Sequence, residues 1–272
     1  MSNYDYDLAV IGAGAAGLTV TAGAAQAGAK TLLIEKEAVL GGDCLHYGCV
    51  PSKTLIKTAH VYQQMKNAAR YGLPEVSVPQ VDFVQIRDRI QRVIANIQPH
   101  DSPERFCQLG AEVEFGRAEF IDQHQVRIEK NSGQTRQVSA KTWVLATGST
   151  ASAPKVPGLA ETPYLTNREI FSLDKLPSSL VIIGGGPIAI EMAQAFARLG
   201  SGVQVIQRSQ QILSREDPDL AGMVQALLAQ EGVTFHLGTQ LIQTRDLGQT
   251  REVVFKDSEG RETSVQGDAL LV

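Results

Sequence analysis

A strand, a glycine-rich turn and a helix occur together twice in this chain, and the duplication constrains the fold more than any other feature. In the first copy, the apolar segment Leu8–Ile11 leads into Gly12-x-Gly14-x-x-Gly17, a helix of small residues and a second strand. In the second copy, 180–183 leads into Gly184-x-Gly186-x-x-Ala189 and the same succession. The first glycine makes a tight turn, the second lets the backbone reach a pyrophosphate, and the third position packs helix on strand. These units predict an α/β protein with two dinucleotide-binding domains.

The two copies differ at the residue that follows the second strand. Glu35 ends that strand in the first copy, where an acid binds ribose hydroxyls. Gln207 occupies the equivalent position in the second copy, with Arg208 next to it and Arg215 a little beyond. An acid there would repel a 2′-phosphate and arginine pairs well with one, so the second copy favours NADPH over NADH. The alternative is that these arginines are ordinary solvated residues.

Two cysteines, Cys44 and Cys49, lie five residues apart in a glycine-rich turn that leads into a helix. The chain has only three cysteines and nothing in it suggests export, so a pair this close is expected to be redox-active rather than structural. A dithiol couple needs an electron carrier on each side, which predicts FAD at one glycine loop and a nicotinamide nucleotide at the other. The pair follows the first copy directly, and that copy is therefore the predicted flavin site.

Composition excludes several other classes of function. The chain has 25 basic and 29 acidic side chains among 272 residues, which gives no electrostatic case for nucleic acid or an anionic membrane. Residues 8–29 carry no charge but are mostly Gly, Ala and Thr, and no Lys or Arg precedes them, so neither a membrane span nor a secretory signal is predicted. The expected location is the cytoplasm. His124 and His236 lack ligand spacing, and no metal site is predicted.

The segment Gly41–Lys53 and the two glycine units resemble the class I pyridine nucleotide-disulfide oxidoreductases, which include glutathione reductase, dihydrolipoamide dehydrogenase and mercuric reductase. The usual family motif is Gly-Gly-Thr-Cys-x-Asn-x-Gly-Cys-(Ile/Val)-Pro-Ser-Lys, and this chain has Asp43 for Thr and His46 for Asn. The resemblance implies two Rossmann-like, three-layer ββα domains of the glutathione reductase type. It places an FAD-binding domain at 1–154 and an NAD(P)-binding domain at 155–272, joined by a Pro- and Gly-containing linker near 151–158.

The resemblance also assigns roles. Cys44 is implied to be the thiol that exchanges with substrate, and Cys49 the thiolate that faces the flavin. A helix from about Pro51 to Tyr71 begins beside Cys49, and its N-terminus and Lys53 are expected to stabilise that thiolate. Lys53 is implied to form an ion pair with Glu191. Cofactor contacts are expected at the glycine loops and their flanks, namely Gly12, Gly14, Ala15, Ala16, Gly17, Glu35, Lys36, Gly42, Asp43, Lys53, Ala118, Ala146, Thr147, Gly148, Gly184, Gly186, Pro187, Ile188, Ala189, Glu191, Gln207, Arg208 and Arg215.

Two further features of the sequence are less specific. Apolar residues at helical spacing predict a helix over Gln80–Ile97, which in the family helps to form the dimer, although core packing explains the stripe equally well. Cys107 has no second cysteine nearby and is predicted to be an inert thiol.

The implied function is electron transfer between NAD(P)H, FAD and the Cys44–Cys49 disulfide, with a small disulfide, a dithiol or a metal ion as substrate. The segment after Glu191 looks most like mercuric reductase, although Pro187 replaces the family's tyrosine and the metal-transferring C-terminal cysteine pair is not present. The alternatives are an NAD-linked enzyme of the dihydrolipoamide dehydrogenase type and a non-catalytic redox sensor. The chain is expected to be the N-terminal part of a longer, homodimeric protein, and to bind FAD and turn over poorly as it stands.

Overall fold

The structure is a computed structural model that describes residues 4–130 and 132–272. Its helices and strands, in chain order, are β1 (Tyr6–Ile11), α1 (Ala15–Gln26), β2 (Thr31–Glu35), α2 (Gly42–His46), α3 (Cys49–Lys66), α4 (Phe83–Ile97), α5 (Pro103–Gln108), β3 (Ala111–Phe120), β4 (Gln125–Lys130), β5 (Thr135–Leu145), β6 (Ser179–Ile183), α6 (Pro187–Leu199), β7 (Gly202–Gln207), α7 (Pro218–Gln230), β8 (Val233–Leu237), β9 (Gln240–Asp246), β10 (Arg251–Lys256), β11 (Glu262–Gly267) and β12 (Ala269–Leu271). Both predicted βαβ units are therefore present.

The chain divides into two compact units. The N-terminal unit comprises Met1–Pro51 and Gln91–Thr150, and the C-terminal unit comprises Ser52–Ile90 and Ala151–Val272. Helices α3 and α4 each cross this division. The assignment of 1–154 to FAD and 155–272 to a nicotinamide nucleotide stays a prediction.

In the N-terminal unit, a parallel sheet of order β3-β2-β1-β5 shares its two outer strands with an antiparallel sheet of order β3-β4-β5. Strands β3 and β5 are long enough to pair with a parallel partner at one end and with β4 at the other. Successive residues of β1 and β2 point to opposite faces. Ala9 and Leu32 pack in a core cluster with β4, and Val10 and Leu33 pack in another with Leu18 of α1. Three layers result, and both central strands are predominantly apolar for this reason.

In the C-terminal unit, four parallel strands have the order β12-β6-β7-β8, and β9, β10 and β11 form a separate antiparallel sheet. One core cluster joins Val181 of β6 and Ile206 of β7 to Phe255 of β10. Helix α6 has the buried face expected of a crossover helix, with Met192 and Phe196 fully buried. This unit repeats the arrangement of the first, with a parallel sheet that has a crossover helix and an antiparallel layer.

Two helix predictions need correction: the helix expected over Gln80–Ile97 begins at Phe83, and the helix expected from about Pro51 to Tyr71 differs at both ends. The helix expected from about Pro51 begins earlier, at Cys49, and its regular part ends at Lys66. A 3₁₀ turn over Ala68–Tyr71 follows, and Gly72 closes it in the left-handed region at φ 74°. Within the predicted apolar stripe, Ile90 and Ile94 are buried and Val81, Val84, Val93 and Ile97 are half-buried, so core packing accounts for part of the stripe. Its role in a dimer stays a prediction.

Within residues 4–130 and 132–272, none of the helices combines the length and the apolar character needed to cross a bilayer. Over the same residues, no group of three or more His, Cys, Asp or Glu side chains is arranged to hold a metal ion.

Candidate active site

The two cysteines lie on consecutive helices, the short α2 and the longer α3, and the glycines that begin α2 allow the chain to turn tightly. Gly41 precedes α2 with φ 113°, and Gly42 opens the helix with φ 59°, both in the left-handed region that glycine tolerates. Cys44 is in the middle of α2 and is half-buried, whereas Cys49 is the first residue of α3 and is exposed. Both thiols are free in this structure. The glycine-rich turn therefore brings the two sulfurs together.

The two thiols of the pair differ in their surroundings. A hydrogen bond with Cys49 raises the pKa of the Cys44 thiol above its usual value, and burial and the negative charges of Cys49 and Asp101 act in the same direction. The raised pKa favours the protonated form of the Cys44 thiol. A thiolate on Cys49 would sit at the first turn of α3, where the helix dipole favours negative charge. This asymmetry supports the roles that the family resemblance implies for the two cysteines.

Lys53 and Glu191 form the predicted ion pair. Lys53 Nζ lies 2.5 and 2.7 Å from the two carboxylate oxygens of Glu191, although the lysine side chain is 60% exposed and the glutamate 36%. Lys53 is on the second turn of α3 and Glu191 on the second turn of α6. Because Glu191 holds the ammonium group, the expected stabilisation of a Cys49 thiolate by Lys53 stays a prediction.

The first glycine loop can be built only from glycine at two positions. A Cβ at Gly12 would lie 2.3 Å from the carbonyl oxygen of Ala146, and Gly12 has φ 102°. A Cβ at Gly17 would lie 1.8 Å from the carbonyl oxygen of Gly12. Helix α1 therefore approaches strand β1 and the turn after β5 as closely as backbones allow. The predicted Ala146-Thr147-Gly148 turn lies directly beside the glycine loop through this contact.

The redox turn touches the same glycine loop. A Cβ at Gly42 would lie 2.5 Å from the Cα of Gly14, and the N–H of Gly41 donates to the carbonyl of Ala13 at 2.9 Å. Backbone contacts therefore hold the segment that carries the cysteine pair against the predicted phosphate-binding turn. Asp43 lies in the first turn of α2.

Glu35 is where the ribose-binding acid was predicted, and it is only 7% exposed. Its Oε2 accepts from the N–H of Ala13 at 2.6 Å and its Oε1 accepts from the N–H of Glu37 at 2.9 Å. The carboxylate is thereby fixed at the end of β2 beside the glycine loop. Lys36 is exposed and lies 3.7 Å from a carboxylate oxygen of Glu37.

These residues fit a dinucleotide. Helix α1 begins at Gly14 with no side-chain cap and no acid in its first turn, so the N–H groups near Ala15 and Ala16 suit a phosphate. Glu35 provides a fixed acid for ribose hydroxyls. Ala118 is less central, since its backbone pairs with Ile128 on the antiparallel part of β3 and it packs on the core.

The second glycine loop has the same form in the C-terminal unit. Gly184 has φ 116°, and α6 begins at Gly186 with Pro187 at its first position, no side-chain cap and no acid in its first turn. Pro187 and Ile188 are exposed and Ala189 is half-buried, so the helix start is accessible. This helix end also suits an anionic group.

The residues that follow β7 are anchored to that glycine loop. The side chain of Gln207 lies beside Gly185, where a Cβ would be only 3.1 Å from the glutamine Cγ. The N–H of Leu213 donates to the carbonyl of Gly185 at 2.7 Å, and Leu213 takes a positive φ of 49°. Arg208 and Arg215 are both exposed on the segment so anchored. Their position beside the glycine loop suits a nucleotide phosphate.

Two features of the redox site were missed from the sequence. His46 Nε2 donates to the Leu40 carbonyl at 2.9 Å, and Gln98 Nε2 donates to the same oxygen at 3.1 Å, so both side chains fasten the residue that precedes the redox turn. The second feature is a cavity of about 420 Å³ beside Cys44, lined in part by Asp101 and Arg105. Ser102 and Pro103 mark the start of α5 in the sequence, but nothing there indicates that α5 lies next to Cys44.

Two glycine loops that suit nucleotides and a dithiol beside the first of them resemble the arrangement of flavoproteins of the disulfide reductase class. The family described as pyridine nucleotide-disulphide oxidoreductase matches residues 6–272, nearly the whole chain. The chain belongs to this family, as its sequence motifs implied.

Curated relatives agree with this assignment. A mercuric reductase from Bacillus cereus is 31% identical over 270 residues, which cover 99% of this chain and 42% of the relative. A dihydrolipoyl dehydrogenase from Bacillus subtilis is 34% identical over 268 residues, which cover 97% of this chain and 57% of the relative. The chain spans about half the length of the curated relatives it matches.

Solved structures support the fold. The Cu(II) complex of the HOCl-induced flavoprotein disulfide reductase RclA from Escherichia coli superimposes with a TM-score of 0.83 and 28% sequence identity. The match covers 100% of this chain and 56% of that one. The predicted fold class, two nucleotide-binding α/β domains of the glutathione reductase type, is confirmed.

Proposed function

We propose that the full-length protein is an FAD-dependent oxidoreductase that moves electrons between NAD(P)H, FAD and the Cys44–Cys49 pair, in the manner of a mercuric reductase. The observation that carries this proposal is the backbone contact between Gly42, beside the cysteines, and Gly14, in the predicted phosphate-binding turn. That contact supports a reversible dithiol beside the proposed dinucleotide site. Redox cofactor and substrate thiol chemistry would then meet at one end of α3.

Different residues of the chain have separate roles in the proposed reaction. Glu35 and the glycine loop before α1 hold the flavin nucleotide, and the loop before α6 holds the nicotinamide nucleotide. When bound, these cofactors would supply the electron pair that reduces the disulfide. Cys49 then carries negative charge at the start of α3, and Cys44 keeps the shared proton until it exchanges with substrate. The Lys53–Glu191 pair fastens the second turn of α3.

The nucleotide is proposed to be NADPH in preference to NADH. The second copy has neutral Gln207 where the first has Glu35, and its anchored segment carries the exposed Arg208 and Arg215. A 2′-phosphate is therefore met by cationic groups and no carboxylate at that position. NAD remains usable in this arrangement, because nothing in the loop excludes a free ribose hydroxyl.

The proposed partners are a small disulfide, dithiol or metal-ion substrate and, for the full-length protein, a second copy in a homodimer. The proposed location is the cytoplasm. The 34% identity to a dihydrolipoyl dehydrogenase favours one alternative direction, in which a dithiol reduces Cys44–Cys49 and NAD⁺ receives the electrons.

The test is an anaerobic titration of the full-length protein with NADPH, repeated with NADH. Absorbance follows the flavin, and alkylation with peptide mass spectrometry counts the free thiols at positions 44 and 49. We expect both thiols to become alkylatable after about two electrons per flavin, with a long-wavelength band that is lost in Cys49→Ser. We also expect a lower half-saturating concentration for NADPH than for NADH.

Cys107→Ser is the matched control, because Cys107 is also exposed but lies on α5, and it should leave every signal unchanged. The proposal is wrong if the protein binds no flavin, or if the flavin bleaches while Cys44 and Cys49 stay unreactive. Reduction by dihydrolipoamide with NAD⁺, and none by NADPH, would establish the alternative direction.

A further inference from the structure

The cavity beside Cys44 has a composition that the proposed function does not explain. Its walls are largely apolar, formed by Leu18 of α1, Leu45 of α2 and Phe106 of α5 among others. Its volume of about 420 Å³ lies in the range of small-molecule sites. Apart from the thiol of Cys44, its charged groups are one carboxylate and one guanidinium.

The two charged side chains are not neutralised by the protein. Among the residues that the structure describes, Asp101 is used through its backbone carbonyl, which accepts from Gln98, and its carboxylate has no hydrogen-bond or ion-pair partner. Arg105 donates from Nη1 to the carbonyl of His100, and its guanidinium lies 5.8 Å from the centre of the Phe106 ring. Neither interaction supplies an anion. The cavity thus presents one free negative and one free positive charge around a reactive thiol.

Opposite charges that line the same largely apolar cavity, four residues apart in the chain, suit a ligand that carries both signs on a small body. Building on the proposed function, we propose that Cys44 exchanges in this cavity with disulfides of small amino-acid thiols, such as cystine. Asp101 receives the α-ammonium group and Arg105 the α-carboxylate. A neutral apolar disulfide would gain nothing from either charge, and a disulfide bearing only one sign would meet one favourable and one unfavourable group.

The exchange is balanced within the dithiol. Cys44 loses its proton to solvent and its thiolate attacks one sulfur of the substrate, so that a Cys44–S bond forms, the substrate S–S bond breaks and one amino-acid thiolate leaves and takes up a proton. Cys49 then attacks the sulfur of Cys44, which releases the second thiol and forms Cys44–Cys49. The substrate gains two electrons and the dithiol loses two. The nicotinamide nucleotide, through the flavin, restores the dithiol in the proposed cycle.

The experiment measures the first exchange alone. Full-length protein carrying Cys49→Ser is reduced, and the adduct on the peptide that contains Cys44 is timed by quenching and mass spectrometry. Four probes are used: cystine with both charges, cystamine with only cations, 3,3′-dithiodipropionate with only anions, and 2-hydroxyethyl disulfide with none. Their intrinsic reactivities differ because leaving-group acidity differs, so each rate is compared between variant and parent for the same probe.

We expect Asp101→Asn to slow the reaction of Cys44 with cystine and with cystamine about fivefold, relative to its reaction with the neutral probe. This is the size expected for an exposed ion pair. Arg105→Gln should slow cystine and dithiodipropionate by a similar factor. Glu104→Gln and Arg92→Gln are the matched controls, since both residues are exposed and neither lines the cavity, and they should change no ratio. The rate with the neutral probe in each variant reports whether Cys44 and its surroundings are intact.

The outcomes separate this inference from the proposed function. If Cys44 reacts with all four probes and neither substitution changes their ratios, the assignment of Asp101 and Arg105 is wrong while the redox proposal stands. If Cys44 reacts with none of them although it is alkylated by iodoacetamide, the exchange role of Cys44 fails as well. The cavity would be established as a site for zwitterionic disulfides if Asp101→Asn slowed the reactions with cystine and cystamine and Arg105→Gln slowed those with cystine and dithiodipropionate.

Discussion

Two glycines of α1 differ in what a methyl group would meet. At Gly17 it would lie 1.8 Å from the carbonyl oxygen of Gly12, whereas at Gly23 nothing lies within 4 Å. We expect Gly17→Ala to lower the free energy of unfolding by at least about 2 kcal/mol, because backbone must move apart. Gly23→Ala should raise it by about 0.5–1 kcal/mol, since alanine is the better helix former and the position is open.

Urea unfolding of the two variants beside the parent protein measures both effects. The two variants carry the same substitution in the same helix, so each is the control for the other. The contribution of helix propensity therefore cancels in the comparison. Gly17→Ala should also weaken flavin binding, because the glycine turn shifts. Equal stability of the two variants would contradict the close packing of α1 on the turn.

Some residues of the site followed from the sequence and others could not. Gly12, Gly17 and Glu35 are fixed by local chain geometry and spacing, so a motif predicts their places. Asp101 lies 57 positions after Cys44 in the chain, and its approach to the thiol depends on how α5 packs on α1. Residue patterns carry no information about such a long-range contact until the fold is known.

At the scale of secondary structure, a charged network ties four strands, β1, β3, β4 and β5, together in the N-terminal unit. The hydroxyl of Tyr6 on β1 donates to Glu112 on β3 at 2.5 Å. Arg136 on β5 donates to Tyr6, to Glu112 and to Glu114, the last at 2.8 Å, and Lys130 lies 2.9 Å from Glu114. Burial and the hydrogen bond with Glu112 raise the pKa of Tyr6 to about 12. Tyr6 is therefore a neutral donor across the physiological range.

The two glutamates make this network sensitive to acid. Burial opposes the ionisation of Glu114, but hydrogen bonds from Lys130 and Arg136 outweigh it and hold its pKa below the usual 4.5. Burial also opposes the ionisation of Glu112, but hydrogen bonds from Tyr6 and Arg136 outweigh it and lower the pKa of this carboxyl group. A lowered folded-state pKa gives stability that is present above the unfolded value and is lost as pH falls through the folded value.

We expect Glu114→Gln to cost about 1.5 kcal/mol or more of unfolding free energy at pH 7, since hydrogen bonds to a charged group are lost. The cost should shrink as pH falls below 4.5 and through the lowered pKa of Glu114 in the folded protein, where the parent glutamate also becomes neutral. Glu119→Gln is the control, because its pair with Arg127 is exposed and should contribute under about 1 kcal/mol. Urea midpoints at several pH values measure both. A cost for Glu114→Gln that does not change with pH would contradict an electrostatic origin.

The strands of the N-terminal unit also show which parts of the fold could not be predicted from the sequence. Strands β1 and β2 were predicted because short apolar runs lead into a glycine turn, but β3 and β4 were not. Buried and exposed residues do not alternate along β3, which pairs first with β2 and then with β4 and so changes its environment midway. A strand shared by two sheets has no single period for a pattern to detect.

At the scale of the whole molecule, α3 runs from one compact unit into the other. Its response to each nucleotide therefore tests which unit that nucleotide binds. Its first residue, Cys49, lies in the N-terminal unit with the first glycine loop, and its remaining turns from Ser52 on group with the C-terminal unit. An α-helix is cooperative, so a ligand that fixes its first turn reduces opening along its length. We therefore expect FAD, not NADPH, to slow amide exchange in α3.

Hydrogen exchange of the full-length apoprotein, alone and with each nucleotide at about one hundred times its dissociation constant, measures this. Some amides exchange only through an opening that destroys the nucleotide site. For these, binding at that excess adds about 2.7 kcal/mol of protection, which slows exchange about a hundredfold. FAD should produce this change at β1, α1 and α3, and NADPH at β6, α6 and the anchored segment 208–216. If NADPH alone protected α3, the start of that helix would belong functionally to the second glycine loop. The flavin would then have no structural route to Cys49, and the proposed electron path through the cysteine pair would have to be abandoned.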